Sequence, residues 1–150
     1  MGLEIKTKDF GTIQVGDEEI VHFPEGLFSF EEEKEFVFIK NDEYAAIWLQ
    51  SARGEDPRFI VFDPLDIMKE YSPSLPGGVL VALEAESIEA LCFFVIAVIP
   101  KDNRAITVNL KSPVVVNPEK RLAMQVILEN EDYGVRHRIS EKTERGADGC

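Results

Sequence analysis

Short apolar runs recur along the chain, and turn-forming residues separate them. Val, Ile and Phe dominate the runs, while Gly, Pro, Asn and Asp bound them, which is typical of β-strands. The runs that we predict as strands are residues 13–15, 19–23, 36–39, 46–49, 59–62, 92–99, 106–110, 114–116 and 124–128. Strands at a spacing of ~8–12 residues predict a sandwich or a barrel rather than alternating strands and helices.

Two of the runs, residues 59–62 and 92–99, are apolar without alternation. A strand with one face in water alternates apolar and polar residues, whereas a strand covered on both faces does not. We therefore expect a barrel wall that another segment of the chain overlays.

Helical signals are weak. Three short candidates occur at residues 65–69, 79–86 and 86–91, and each is too short to be stable without tertiary packing. The predicted fold class is all-β, a single-domain antiparallel barrel-like fold with a few short helices. We place this domain at residues 1–139 and predict a disordered tail at residues 140–150, which hold no large apolar side chain.

The charge is strongly negative and unevenly spread. The chain has 150 residues with 28 Asp and Glu against 16 Lys and Arg, a formal charge of −12. Residues 1–100 hold 20 acidic and 7 basic side chains, and residues 101–150 hold 8 and 9. Such a surface disfavours direct nucleic-acid binding and attracts basic partners. The alternative that the acidity serves only solubility stays open.

The sequence lacks the patterns that carry common chemistry. It has two histidines and two cysteines, none at a metal-ligand spacing, and too few cysteines for a disulfide scaffold. Nucleophile-elbow and phosphate-loop motifs are also absent from it. We expect a binding protein that is not an enzyme, with no cofactor and no metal. The longest apolar run, residues 91–99, is short of the ~20 residues of a membrane helix, so we expect no membrane contact. The small number of cysteines and the lack of an apolar signal region near residue 1 predict a cytoplasmic protein.

Several motifs occur together in one order. Residues 20–31 read IVHFPEGLFSFE, similar to the family pattern I-x-F-x-x-G-L-P-G-F-E/D, and residues 108–117 read VNLKSPVVVN, similar to NLKAPIVIN. Further matches lie at residues 48–51, 59–64, 71, 121, 125–128 and 133–137. Over about residues 3–138 the chain resembles the flagellar assembly factor FliW family. It departs from the pattern where Phe28 and Ser29 replace Pro-Gly, and where residues 76–78 replace acidic, helix-favouring residues.

The resemblance implies an all-β barrel-like domain without enzymatic activity. It also implies a cytoplasmic chaperone that binds newly made flagellin, and that binds the translational repressor CsrA to relieve repression of flagellin translation, the two partners competing. A monomer is expected. The alternative is a small-ligand carrier, which would need a pocket of ~300–1,000 Å³ in the barrel interior.

Exposed side chains in the matched motifs are the best candidates for contacts with a partner protein. The candidate partner-binding residues are Phe28, Phe30, Asn109, Lys111, Asn117, Arg136 and His137. A structural role competes for each of them. Asn117 also fits a turn cap beside Pro118, and Phe30 also fits a plug of the barrel.

Overall fold

The computed structural model describes residues 2–40, 46–101 and 105–139. The strands are β1 (Gly2–Lys6), β2 (Thr12–Gly16), β3 (Val21–His22), β4 (Glu35–Lys40), β5 (Ile47–Ser51), β6 (Arg58–Phe62), β7 (Cys92–Val98), β8 (Thr107–Val108), β9 (Val114–Asn117), β10 (Leu122–Gln125) and β11 (His137–Arg138). One helix, α1 (Val79–Ala82), and 3-10 turns at Asp17–Glu19, Pro64–Asp66 and Ile88–Ala90 complete the described elements. The predicted tail at residues 140–150 lies outside the described residues.

Seven strands close into a barrel. They follow the order β7-β6-β5-β4-β3-β10-β9, and β9 pairs back onto β7. At the closure Cys92, Phe93 and Phe94 lie opposite Val116, Val115 and Val114. The predicted all-β, barrel-like fold with few helices is confirmed. Its neighbouring strands are antiparallel except for β3 and β10, which lie parallel where Leu122 pairs with His22.

Two pieces of sheet lie outside the closed barrel. The second half of β7 pairs with β8 through Ala97 and Val98, and β8 pairs with β11 on its other side. β1 and β2 form a separate antiparallel hairpin. Its Ile5 and Val15 pack against Val37 of β4, so the hairpin covers part of the outer barrel wall.

The barrel interior is filled by side chains. Every one of the seven barrel strands contributes a buried residue to one apolar cluster, which contains Val21, Phe23, Leu27, Phe36, Leu49, Val61, Cys92, Val114, Val116 and Ala123. Phe23 and Phe36 are fully buried, with ring centroids 5.0 Å apart. Burying a side chain of this size stabilises a fold by about 1.5–3 kcal/mol.

A second apolar cluster covers the outside of β7 and β9. Along β7, Phe94 and Ile96 pack into the interior cluster, whereas Phe93 and Val95 pack into this outer cluster with Val115 of β9. The prediction that the long apolar run is covered on both faces is therefore confirmed for residues 92–97, whereas Val98 and Ile99 are exposed. The overlay consists mainly of residues 67–85, 108–110 and 122–128.

The three predicted helical segments form one short α-helix, α1 at Val79–Ala82, and 3-10 turns at Pro64–Asp66 and Ile88–Ala90. The Asp63 carboxylate accepts the Leu65 N–H at 2.9 Å and begins the first turn. α1 begins after Gly78, whose φ of +91° is readily adopted by glycine. A helix at residue 79 is thus compatible with the Pro-Gly-Gly segment before it.

Some strand boundaries differ from the prediction. Residues 19–23 contribute only Val21–His22 to a strand, because Glu19 accepts the Gly16 N–H at 2.7 Å and folds the preceding residues into a 3-10 turn. Residues 106–110 contribute only Thr107–Val108. β10 begins two residues earlier and ends three residues earlier than predicted. The strands β1 and β11 were not predicted.

No helix in the described ranges is long and apolar enough to cross a bilayer.

Tyr71 anchors the overlay to the strand region beneath it. Its hydroxyl donates to the Leu110 carbonyl at 2.8 Å, and its ring stacks on that of Tyr133 at 4.8 Å. The Tyr133 hydroxyl in turn accepts the Ser72 N–H at 2.7 Å. Burial, with a smaller contribution from Tyr133, raises the pKa of the Tyr71 phenol above its ordinary value.

Replacing Tyr71 by Phe removes this hydrogen bond and keeps the ring. We expect Tyr71→Phe to lower the free energy of unfolding at neutral pH by about 1–2 kcal/mol. Above a pH of about 10 the unfolded chain releases the phenol proton while the folded chain keeps it, so this group makes the natural chain less stable as pH rises. The difference between the two proteins should therefore shrink there, as urea unfolding at several pH values would measure.

The matched control is Tyr133→Phe, which removes the hydroxyl that accepts the Ser72 N–H. If the stability difference between Tyr71→Phe and the natural chain were the same at neutral and alkaline pH, the assignment of the shifted pKa to Tyr71 would be wrong.

Candidate functional site

The seven predicted contact residues fall in three places. Phe28 and Phe30 lie in the loop between β3 and β4, and Asn117 ends β9. The remaining four lie on or beside β8 and β11; they are Asn109, Lys111, Arg136 and His137. The seven residues therefore occupy two surfaces and one internal position.

The loop before β4 contains a tight four-residue turn. Leu27 and Phe30 exchange backbone hydrogen bonds of 3.3 and 2.8 Å, with Phe28 and Ser29 between them. Ser29 has φ +71°, a left-handed conformation that glycine adopts most readily. The departure from the Pro-Gly pattern thus leaves a serine in a glycine-favouring conformation. Phe28 uses its N–H, which proline lacks, to donate to Gln125 Oε1 at 3.0 Å.

An open apolar groove of about 400 Å³ lies beside this turn. Its lining residues are Phe28, Pro76, Gly77, Gly78, Val79, Met124, Gln125, Val126 and Ile127. Phe28 and Ile127 are 45% and 59% exposed, which is high for large apolar side chains. Phe30 does not line this groove. Its ring packs edge-to-face on that of Phe59, with centroids 5.4 Å apart. We call this surface the groove face.

The segments that contain the groove's lining residues are rich in acidic residues. Three segments form and flank the groove, at residues 24–33, 70–79 and 124–132, and they carry four, one and three acidic residues and no basic residue. Lys34 follows the first segment, and its ammonium donates to the Pro24 carbonyl at 3.0 Å. An apolar surface rimmed by charges of one sign is suited to a partner with apolar residues between charges of the other sign.

Asn130 holds one wall of the groove in place. Its Oδ1 accepts the Ser74 N–H at 2.7 Å, and its Nδ2 donates to the Ser72 carbonyl at 3.0 Å. The Glu129 N–H donates to the Ser74 carbonyl at 2.9 Å. These bonds fix the extended segment that leads into Pro76. The sequence reasoning missed Asn130 because its partners lie 56 and 58 residues away.

The second surface, which we call the β8–β11 edge, is basic. It consists of residues 97–101, 105–111 and 133–139, which carry Lys101, Lys111, Arg136 and Arg138 and no acidic residue. Arg136 is exposed, while His137 is partly buried opposite Val108. The fold therefore brings four of the seven predicted residues together.

Two of those four make internal hydrogen bonds. Asn109 Oδ1 accepts the Ser112 N–H at 2.9 Å, which ends β8 in a turn, and the Lys111 ammonium donates to the Asn130 carbonyl. Lys111 thus links the β8–β11 edge to the residue that holds the groove wall. These bonds give Asn109 and Lys111 structural roles beside any contact with a partner.

Asn117 faces the interior of the molecule. Its side chain donates to the Leu83 carbonyl at 2.7 Å and accepts the Glu119 N–H at 3.2 Å. The residue is 3% exposed, so a partner has little side-chain surface to contact. The structure shows Asn117 capping the turn after β9 and tying it to the end of α1.

Gln125 connects the two surfaces. It accepts the Phe28 N–H through Oε1 and donates through Nε2 to the Ser112 carbonyl at 3.1 Å. Ser112 is also the residue whose N–H bonds to Asn109. The sequence reasoning left out Gln125; its one visible signal was a polar side chain within the apolar run at residues 124–128.

Within the described ranges, no three His, Cys, Asp or Glu side chains are grouped so that they could hold a metal ion. The exposed features are apolar side chains beside charges, and these can bind other macromolecules. The structure is thus a closed β-barrel whose interior is filled by side chains and which carries an open groove on its surface.

Comparison with known proteins identifies the family. The model of the FliW protein family matches residues 4–139, so the chain belongs to the FliW family. The flagellar assembly factors FliW of Caldicellulosiruptor saccharolyticus and Thermotoga maritima are 38% and 39% identical to it over 137 and 142 residues. These alignments cover 91% and 93% of this chain and 90% and 95% of the relatives.

The fold agrees with an experimental structure. A crystal structure of the flagellar assembly factor FliW superimposes with a TM-score of 0.84 at 34% identity. The match covers 93% of this chain and 99% of the other. The family resemblance predicted from the motifs is therefore confirmed.

The turn at Ser29 yields a stability prediction. We expect Ser29→Gly to raise the free energy of unfolding by about 0.5–1 kcal/mol, because relief of about 1–2 kcal/mol of left-handed strain exceeds the entropic cost of glycine. Gly26→Ala should do the opposite: φ is +67°, and a Cβ there would lie 2.6 Å from the Glu31 Cα. Urea unfolding of both variants would measure the two signs, and a destabilised Ser29→Gly would contradict the strain argument.

Proposed function

We propose that this chain is a flagellar assembly factor that works by binding two proteins. One partner is newly made flagellin, bound in the cytoplasm as a chaperone, and the other is the translational repressor CsrA, whose binding relieves repression of flagellin translation. Membership of the FliW family and relatives named as flagellar assembly factors support the first part. The two partners follow from the family resemblance of the motifs, and competition between them would couple flagellin supply to its translation.

The observation that carries the proposal is the charge and apolar character of the groove face. A protein that binds RNA presents basic side chains to the phosphates, and the eight acidic residues of the groove-face segments complement such a surface. The two ammonium groups beside them, those of Lys34 and Lys111, donate to the backbone carbonyls of Pro24 and Asn130. Phe28 and Ile127 supply exposed apolar area, and aromatic side chains often dominate the energy of protein interfaces. We assign CsrA to the groove face on this basis.

No feature of the described residues supports the alternative that the chain is a small-ligand carrier. A ligand carrier needs an interior pocket, whereas ten buried side chains occupy the interior of this barrel. The groove beside Phe28 is open to solvent, which suits a protein segment better than an enclosed small molecule.

Charge reversal at the groove face tests the assignment. Glu32 and Glu131 are exposed and form no hydrogen bond or ion pair among the described residues. We expect the double variant Glu32→Lys, Glu131→Lys to bind CsrA about tenfold more weakly at low salt, mainly through slower association, because it replaces attraction by repulsion. Surface plasmon resonance at several salt concentrations would measure the rates.

The matched control is Glu4→Lys, Glu18→Lys, which changes the net charge equally at exposed positions of β1 and of the turn after β2. It should retain most of the affinity. Equal loss in both double variants would show that net charge alone matters. Failure of the natural chain to bind CsrA or flagellin at micromolar concentration would overturn the proposed function itself.

A further inference from the structure

Among the described strands, β11 pairs with β8 alone and lies at one end of the strand order. The Ile139 N–H donates to the Ile106 carbonyl at 2.9 Å, on the β8 side. In an antiparallel strand the N–H and C=O of one residue point to the same side, and those of the next residue point to the opposite side. The backbone groups of Arg138 therefore point away from β8. Among the described residues, no strand pairs with that side.

One face of this three-stranded extension is exposed. Val98, Thr107 and Arg138 lie opposite one another across β7, β8 and β11, so their side chains share a face. Val98 is 62% exposed, whereas Val108, on the other face, is fully buried. A strand added beside Arg138 would place alternate side chains on the exposed face.

The surroundings of the edge are apolar and positively charged. Ile99 and Val135 are 49% and 56% exposed, and the surrounding segments carry four basic residues without an acidic one. The chain as a whole carries −12. This edge is therefore complementary to acidic side chains in a molecule that otherwise repels them.

We propose that the β8–β11 edge is a second docking site, which takes an extended protein segment of alternating acidic and apolar residues as an added β-strand. Backbone hydrogen bonds to Arg138 would supply the sheet pairing, and the charges of Arg136 and Arg138 would select acidic residues. The groove face differs from this site in charge and geometry, so the inference is independent of the assignment of CsrA above.

An added strand would bind here through hydrogen bonds between its backbone and that of β11. Exposed strand edges are the usual place for such pairing. A second copy of this chain is a weaker candidate for the occupant. Two β11 strands placed side by side would bring Arg136 and Arg138 of each copy together, and like charges on adjacent strands repel.

The test uses the full ¹⁵N-labelled chain and an end-capped octapeptide of alternating Glu and Val. We expect its titration to shift amide signals of residues 98, 99, 101, 106–108 and 135–139 in heteronuclear NMR spectra. A Lys-Val octapeptide should not shift them. A Glu-Val peptide with alternate backbone nitrogens methylated should bind about tenfold more weakly, because it lacks the donors for pairing.

Protein variants test the same geometry from the other side. Arg138→Pro removes an N–H that points away from β8 and should weaken binding of the Glu-Val peptide about tenfold. Arg138→Ala is the matched control, which removes the charge and keeps the N–H, and should weaken binding less. Both variants should bind CsrA as the natural chain does.

Three results would overturn the inference. They are shifts of the groove-face amides in place of the edge amides, equal binding of the methylated and unmethylated peptides, and concentration-dependent shifts of the edge amides without peptide, which would mean that a second copy covers the edge. The comparison of methylated and unmethylated peptides uses the natural chain. It therefore tests the inference even if the Arg138→Pro variant does not fold.

Discussion

The pairing of β7 with different neighbours along its length is the constraint on which the rest of the structure depends. Its first residues pair with β9 and close the barrel, and its last residues pair with β8. Since apolar clusters cover both faces of β7 over residues 92–97, a polar substitution at these positions would bury an unsatisfied group on either side. Exposed side chains are thereby confined mainly to the loops and sheet edges around the barrel, where they are tolerated.

The strands that could be predicted from sequence are those with a clear local pattern of apolar residues. The apolar runs at residues 36–39 and 59–62 became β4 and β6 because their neighbours on the sheet are apolar as well. The two-residue strands β3, β8 and β11 could not be bounded in this way. Their limits depend on distant or side-chain hydrogen bonds, such as that from the His22 N–H to the Arg121 carbonyl, which no local pattern contains.

The candidate site was predictable in its residue types and not in its arrangement. The sequence shows an acidic first two-thirds and a balanced remainder, but the separation into one acidic and one basic surface arises only on folding. Residues 24–33 and 124–132 are about a hundred positions apart and meet where Phe28 bonds to Gln125. Charges that lie within a screening length of about 8–10 Å of one another act together. A folded surface can therefore attract a partner of opposite charge even though the sequence shows only the net charge of a long stretch.

Gln125 supports both surfaces, so a substitution at this position cannot show which surface a partner binds. It holds the Phe28 turn on one side and the Ser112 carbonyl on the other, and Ser112 in turn positions Asn109. Because one amide supports both the groove and the turn that ends β8, its removal would disturb both surfaces at once. A loss of binding in such a variant would therefore not locate the partner. Two kinds of group can distinguish the two surfaces. They are exposed carboxylates that form no hydrogen bond among the described residues, and peptide groups that point away from the sheet. Replacing either kind leaves the hydrogen bonds of Gln125 intact.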